Sequence, residues 1–227
     1  MEWPSVSVVV PAYNASRFLA DAVGSVRGQT VPPAELIVVD DGSSDRTAET
    51  ASALGARVLS ILHAGVAVAR NAGVAASSGE FIAFLDADDM WSPEKLERQL
   101  LLATANPDAG VVMARQGYLF DGEVPAWFRG PRDGSSEPGY QPSNWLVRRS
   151  TWVHVGGFSE GVTHSEDTDW LARASDLGVR VVMVDEPLTI HRIHDQNASG
   201  LAVEVRAGVL QALRSSVQRK RALGQET

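Results

Sequence analysis

The sequence predicts an α/β fold in which a mostly parallel sheet is covered by helices on both faces. Three observations carry this expectation: short β-branched runs of strand length, apolar residues at helical spacing between them, and a regular alternation of the two. Strands buried on both faces read as continuous apolar runs, and Val6-Ser7-Val8-Val9-Val10 and Leu36-Ile37-Val38-Val39 have that character.

Pro11 closes the first run and Asp40-Asp41-Gly42 closes the second. Between them, Phe18, Leu19, Ala22, Val23 and Val26 mark one helical face, with Asn14 or Ser16 placed to cap it. The pattern continues as a helix over 45–54, a strand over 57–62, a helix over 65–76 and a strand over 81–85. After Val111-Val112-Met113 the periodicity fades. Residues 116–142 are rich in Gly and Pro and read as a long functional loop, in which Trp127, Phe128 and Tyr140 either stack on a ligand or form a satellite core. Trp145-Leu146-Val147 resumes regular structure, with a helix start near Ser150, a helix over 167–177 and a strand over 179–184 leading to Ile190-His191-Arg192-Ile193-His194. A last helix over 203–223 presents Leu210, Leu213 and Val217 on one face. Arg219-Lys220-Arg221 near its end complements the helix dipole, with membrane docking as the alternative.

With 227 residues, 44% of them hydrophobic, one compact unit with a full core is expected. A net charge of -8 argues against a nucleic-acid partner, which needs a basic field to displace phosphate counterions. Without cysteine there are no disulfides or thiolate metal sites, so any metal takes oxygen or imidazole ligands. Met1-Glu2-Trp3-Pro4 lacks a basic leader region and 6–10 is too short for a membrane span, so a cytoplasmic protein without a transmembrane segment is expected.

In parallel sheets, ligands bind beyond the carboxyl ends of the strands. Tyr13-Asn14, the acidic turn 40–45 and Asp86-Ala87-Asp88-Asp89 all fall there. An Asp-x-Asp pair after a buried strand suits Mg²⁺ or Mn²⁺ together with a diphosphate, although a solvated turn or a helix cap gives the same pattern. His191 and His194, three apart on a strand, point to different faces and are poorly placed to share one ion.

Taken in order, residues 6–14, Ile37-Val38-Val39-Asp40-Asp41-Gly42-Ser43-Ser44-Asp45, Ala69-Arg70-Asn71-Ala72-Gly73 and Phe81 through Asp89, followed by Trp91-Ser92-Pro93-Glu94-Lys95-Leu96, resemble the inverting family 2 glycosyltransferases. Val147-Arg148-Arg149, Gly156-Gly157-Phe158 and Glu166-Asp167 look like the second half of that family; the segment 116–142 matches no motif. The resemblance implies a single GT-A (Rossmann-like) domain with a mostly parallel central sheet flanked by helices, plus a C-terminal helix. Residues 1–115 would bind the nucleotide-sugar and metal, 116–200 would supply acceptor contacts and the base, and 201–227 would form the helix and tail.

The same resemblance implies roles. Pro11, Ala12 and the Tyr13 ring would hold the base, with Asp40 and especially Asp41 hydrogen-bonded to it, uracil being the commonest. Arg70 would lie near the diphosphate or the acids, or form an ordinary ion pair. Asp86 and Ala87 would line the donor site, Asp86 touching the ribose or a metal-bound water, while Asp88 would ligate Mn²⁺ or Mg²⁺ and Asp89 would support the loop. His194 would be a metal or phosphate ligand, whereas His191 replaces an aromatic and has no assigned role. Glu166 and Asp167 would be the catalytic pair, Asp167 the base and Asp169 its local rival, and Trp170 would line the sugar or acceptor pocket. His63-Ala64-Gly65 stands where relatives often carry Asn before Gly, which leaves nucleotide contacts there open.

The expected reaction is metal-assisted transfer of one sugar, UDP-linked first, to an acceptor hydroxyl on a saccharide, lipid-linked intermediate, natural product or peptide, with inversion. The absence of a following transmembrane helix disfavours a processive synthase, and the protein is expected in the cytoplasm, with the inner membrane surface and a homodimer left open. A nucleotidyltransferase is the first alternative, but Pro11-Ala12-Tyr13-Asn14 replaces its Gly-rich phosphate loop. A catalytically silent sugar-nucleotide binding module is the second.

Overall fold

A computed structural model of the chain describes residues 2–161, 165–195, 197, 214–217 and 219. In chain order the elements are β1 (Val6–Ala12), α1 (Leu19–Arg27), β2 (Glu35–Asp40), α2 (Thr47–Ala53), β3 (Arg57–Ser60), α3 (Val66–Ala75), β4 (Phe81–Phe84), β5 (Met90–Trp91) and α4 (Lys95–Ala105). Then follow β6 (Ala109–Phe120), β7 (Glu137–Pro138), a 3₁₀ turn (Pro142–Asn144), β8 (Leu146–Arg148), α5 (Arg149–Val155), α6 (Glu166–Asp176) and β9 (Arg180–Ile193). The expected C-terminal helix over 203–223 lies outside the described residues, apart from 214–217 and Arg219; Arg219 donates from Nε to Asp176 Oδ2 at 2.8 Å.

The strands form one sheet in the order β3-β2-β1-β4-β8-β6-β9-β5, with β7 beside β6. β3, β2, β1 and β4 are parallel neighbours, as are β6 and β9, while β8 runs antiparallel between β4 and β6. Most of the pairing is therefore parallel. Successive residues of β1 face opposite sides, so Val8 and Val10 pack with Leu19, Val23 and Val26 of α1, while Val9 packs with Ile37, Val39 and the α3 side. Burial on both faces explains why the strand is a continuous apolar run. On the α3 side the core is aromatic: Trp145, Trp152 and Trp170 lie within 5.3–5.6 Å of one another by ring centroid where they pair.

Two expectations about the second half change. The stretch read as a loop from 116 begins inside β6, which continues to Phe120 because its backbone pairs with β9 through Phe120–Ile193. Phe128 meets the Tyr118 and Phe120 rings edge to face and so belongs to a satellite core, while Tyr140 is exposed. The two strands expected between 179 and 194 are one strand. Pro187, which cannot donate to a ladder, is accommodated at a register shift opposite Arg115.

Candidate active site

A cavity of about 600 Å³ opens at the carboxyl ends of β1 and β4 and is closed on its far side by the start of α6 and the end of β9. Its position follows from topology, because parallel strands release their following loops at one edge of the sheet.

The β1 side contributes Pro11, Tyr13, Asn14 and Phe18. Asn14 has φ 49°, in the left-handed region that Asn tolerates better than most residues. The turn is tied to the loop after β2: Asn14 N–H donates to Ser43 Oγ at 2.9 Å, and Ser44 N–H donates to Asn14 Oδ1 at 2.9 Å. Asp45 closes the arrangement by accepting from Ser16 N–H and Thr47 N–H. Burial alone would raise its pKa, but these bonds and the Thr47 hydroxyl outweigh it and bring the carboxyl down to about 2.

Asp86, Ala87 and Asp88 line the cavity from the β4 side. Asp89 points inward, nearly fully buried, and its Oδ1 accepts from His191 Nδ1 at 2.7 Å and from Arg192 N–H at 3.1 Å. Burial alone would lower the pKa of His191; the facing Asp89 carboxyl overrides this and raises it to about 9, while burial raises the pKa of Asp89. His194 Nε2 sits 3.1 Å from Asp88 Oδ2, with Asn197 Nδ2 at 3.4 Å from the same oxygen. Burial would raise the pKa of Asp88, but the His194 hydrogen bond and the nearby His191 charge hold it below the usual carboxylate value. The two histidines engage different carboxylates, yet both line the cavity, so the expectation from their spacing that they face different sides is corrected: the strand ends at Ile193 and His194 lies beyond it.

Arg70 connects this donor-side loop to α6. It is buried, and its two terminal nitrogens donate at 2.6 Å each to Asp86 Oδ1 and Glu166 Oε1. Despite burial, which alone would lower it, the flanking carboxylates raise its pKa, so the guanidinium stays charged. Its Nε is buried and has no hydrogen-bond partner among the described residues. Asp167, next along α6, lines the cavity and has a raised pKa, first through burial and then through repulsion from Glu166, with the Arg70 charge opposing. A carboxylate poised above its ordinary value and facing a cavity has the properties of a general base.

Of the residues expected at the site, Pro11, Tyr13, Arg70, Asp86, Ala87, Asp88, Glu166, Asp167 and His194 converge on the cavity. Ala12, Asp40, Asp41 and Trp170 do not line it. Asp40 Oδ1 accepts from Ser43 N–H within its turn. Asp41, expected to read the base, is buried and accepts from Ala64 N–H at 2.8 Å and Gly65 N–H at 2.9 Å, which anchors the loop into α3. Trp170 is corrected from pocket wall to core: it is fully buried in the tryptophan cluster, and its Nε1–H donates to Gly156 O at 2.8 Å. Asp169 is likewise committed, accepting from Arg173 Nε and Ser159 Oγ. Gln141, Pro142, Ser165, Thr168 and Asn197 also line the cavity and carry no sequence signal, since only the folded sheet brings them there.

The residues fit a divalent cation of the Mg²⁺ or Mn²⁺ kind. Asp88 offers a partly exposed oxygen and His194 an imidazole nitrogen on the cavity wall, a hard donor set without thiolate. Among the described residues no three His, Asp or Glu side chains form a complete cation site, and Mg²⁺ on a nucleotide commonly takes one or two protein ligands with phosphate oxygens and water.

Comparison with known proteins bears on the family and the fold. The amylovoran biosynthesis glycosyltransferase AmsB of Erwinia amylovora is 30% identical over 206 residues, covering 81% of this chain and 68% of AmsB. Other curated relatives match over shorter stretches, and the chain spans only 35%, 41% and 36% of the length of three of them. Among solved structures, the mannosyltransferase PcManGT from Pyrobaculum calidifontis, in complex with GDP-Man and Mn²⁺, superposes with TM-score 0.76 at 18% identity, covering 96% of this chain and 65% of that one. S. aureus TarS 1–349, in complex with UDP-GlcNAc, gives 0.72 at 19% identity, covering 96% and 73%. These similarities show a shared GT-A fold. The profile of Glycosyl transferase family 2 matches residues 7–158, from β1 through β8 with the acidic loop included, and the chain belongs to that family.

Proposed function

We propose that the chain is an inverting glycosyltransferase that moves one sugar from a nucleotide-sugar, a UDP-sugar first, to an acceptor hydroxyl. The observation that carries this reading is the convergence of Asp167, with its raised pKa, and the Asp88–His194 pair on one cavity, with Arg70 bonded to their neighbours Glu166 and Asp86. Binding of UDP-GlcNAc by one structural neighbour and of GDP-Man with Mn²⁺ by another supports a nucleotide-sugar donor. Residues 1–115 serve the donor and residues 116–200 the acceptor and base.

The Asp167 carboxylate takes the proton from the acceptor hydroxyl as that oxygen forms its bond to the anomeric carbon. The bond from that carbon to the diphosphate oxygen breaks on the opposite side, its electron pair leaving with the nucleoside diphosphate. When bound, a divalent cation held by Asp88 and His194 supplies charge stabilisation to the departing diphosphate. Arg70 keeps Glu166 and Asp86 fixed on either side, and Glu166 holds the Asp167 pKa up. Asp86 faces the donor beside Ala87, and Tyr13 offers its ring to the base. The chain works in the cytoplasm, where an acceptor is either soluble or a lipid-linked intermediate at the inner membrane surface.

The test compares wild type with Asp167→Asn. The variant should bind the nucleotide-sugar with unchanged affinity and transfer sugar about a hundredfold to ten-thousandfold more slowly, read as product per enzyme by NMR with an acceptor that wild type uses. Equal rates would remove Asp167 as the base, and binding without transfer by wild type across acceptor classes would favour the silent binding module.

A further inference from the structure

The 3₁₀ turn at the edge of the cavity is held from several sides. Ser143 Oγ accepts from Asp86 N–H at 3.0 Å and Ser143 O accepts from Trp91 Nε1–H at 2.9 Å, which fastens the turn to the acidic loop. From α4, Gln99 Nε2 donates to Asn144 O at 2.8 Å, and Asn144 Nδ2 in turn donates to Gln116 Oε1 at 3.0 Å. The chain just before the turn is equally fixed. Tyr140 O accepts from Trp145 Nε1–H at 3.0 Å, and a Cβ on Gly139 would come within 2.2 Å of Asn144 Cγ.

From this fixed backbone Gln141 reaches the cavity wall, at the end of the segment that matches no motif. Its backbone oxygen accepts from Asn144 N–H at 3.0 Å, but its side-chain Oε1 is buried with no hydrogen-bond partner among the described residues. A buried amide oxygen left unpaired costs free energy that an apolar group of the same shape would not, so folding alone does not account for an amide here. The terminal torsion of a glutamine turns easily, and Oε1 has no bond to give up when it does. We propose that Gln141 reads a hydroxyl of the sugar being transferred. This inference rests on the nucleotide-sugar reading of the cavity, and it gives the second half of the chain a part in choosing the donor. The place follows from the proposed roles. With the diphosphate at Asp88 and His194 and the general base at Asp167, the sugar ring lies between them, along the wall where the turn is bonded to Asp86.

The chemistry selects the partner. A primary amide carries a donor and an acceptor side by side, and a sugar hydroxyl both donates and accepts, so one hydroxyl or two neighbouring ones satisfy the group. A sugar without oxygen at that position leaves the amide as unpaired as it is in the free chain and gains nothing from it. A site of this kind rejects the deoxygenated analogue more strongly than an apolar pocket could.

The test compares the full wild-type chain with Gln141→Met, which keeps the length of the side chain without its polar end. Isothermal titration with Mn²⁺ measures UDP against UDP-glucose, UDP-galactose and UDP-N-acetylglucosamine, and GDP against GDP-mannose. For the sugar nucleotide that wild type binds most tightly, the variant should shift the ratio of the two affinities about tenfold toward the bare diphosphate, the effect of one hydrogen bond. Affinity for the diphosphate itself should change by less than about threefold. The melting temperature of the unliganded variant should equal or exceed that of wild type, since Oε1 has no partner to lose. Gln141→Ala should move the ratio in the same direction and decides the matter if Gln141→Met fails to fold. An unchanged ratio, or an equal loss for diphosphate and sugar nucleotide, overturns the role of Gln141. An unchanged ratio with a raised KM for the acceptor overturns it too, by assigning the amide to the acceptor. Failure of every sugar nucleotide to bind wild type would instead overturn the nucleotide-sugar reading itself.

Discussion

At Asp167 opposing influences act on one carboxyl. Burial and the neighbouring Glu166 push its pKa up from 3.8, while the Arg70 guanidinium pulls it down. As the proposed base it works only when ionised, so activity should be full above the raised pKa and fall as pH drops through it. Removing the Arg70 charge takes away a cation that lowers this pKa and should move the acid limb of the rate profile to higher pH. Arg70→Met, followed as log kcat/KM against pH, checks the sign: a limb that stays in place or moves to lower pH would mean that Asp167 is not the titrating group. The variant should also be less stable, by about 3–5 kcal/mol, because it leaves Asp86 and Glu166 without their shared partner.

Among the elements, α3 sets the tightest tolerances. Gly73 lies where α3 crosses β1 and β2, and a Cβ there would come within 2.3 Å of Val9 Cγ1 and 3.0 Å of Val39 Cγ2. Gly73→Ala should lower stability by about 1–3 kcal/mol through overpacking, seen as a lower urea midpoint with an unchanged slope. An unchanged midpoint would show that the helix can shift freely. Elements of this first half were legible in the sequence because each satisfies one strong local rule: β1, β2 and β4 are apolar runs, and α1 has a single apolar stripe. The second half obeys rules that are not local. Arg115, Gln116 and Gly117 show no strand pattern, yet they pair because β9 lies alongside, and Pro187 would end a strand anywhere but at a register shift. The same division applies to the site. Asp86 and Asp88 stand out by type and spacing and Asp167 through the family resemblance, whereas Gln141 and Asn197 reach the cavity through the 3₁₀ turn and the end of β9. Trp170 misled because an aromatic beside the acids at the start of a helix points to the cavity only on one face, and α6 turns the Trp170 face to the core.

Across the whole molecule, the cavity joins wall residues from both ends of the chain, so ligand binding should stabilise the fold as a unit. A nucleotide-sugar at a hundred times its Kd would add about 2.7 kcal/mol, a rise in melting temperature of several degrees for a chain of this length. This rise should require Mn²⁺ or Mg²⁺ and should be lost in His194→Ala. An equal rise in the presence of a chelator would remove the metal from the proposed function. The acidic loop follows β4, yet the groups that satisfy Asp89, His191 and the Arg192 N–H, arrive a hundred residues later with β9, which also pairs with β5. A nascent chain emerging from the ribosome can pair β1 through β4 early, but it must hold that carboxylate in water until its last strand appears. The donor site is therefore among the last regions to mature during folding, and a partly synthesised chain presents the family's most recognisable motif without the means to use it.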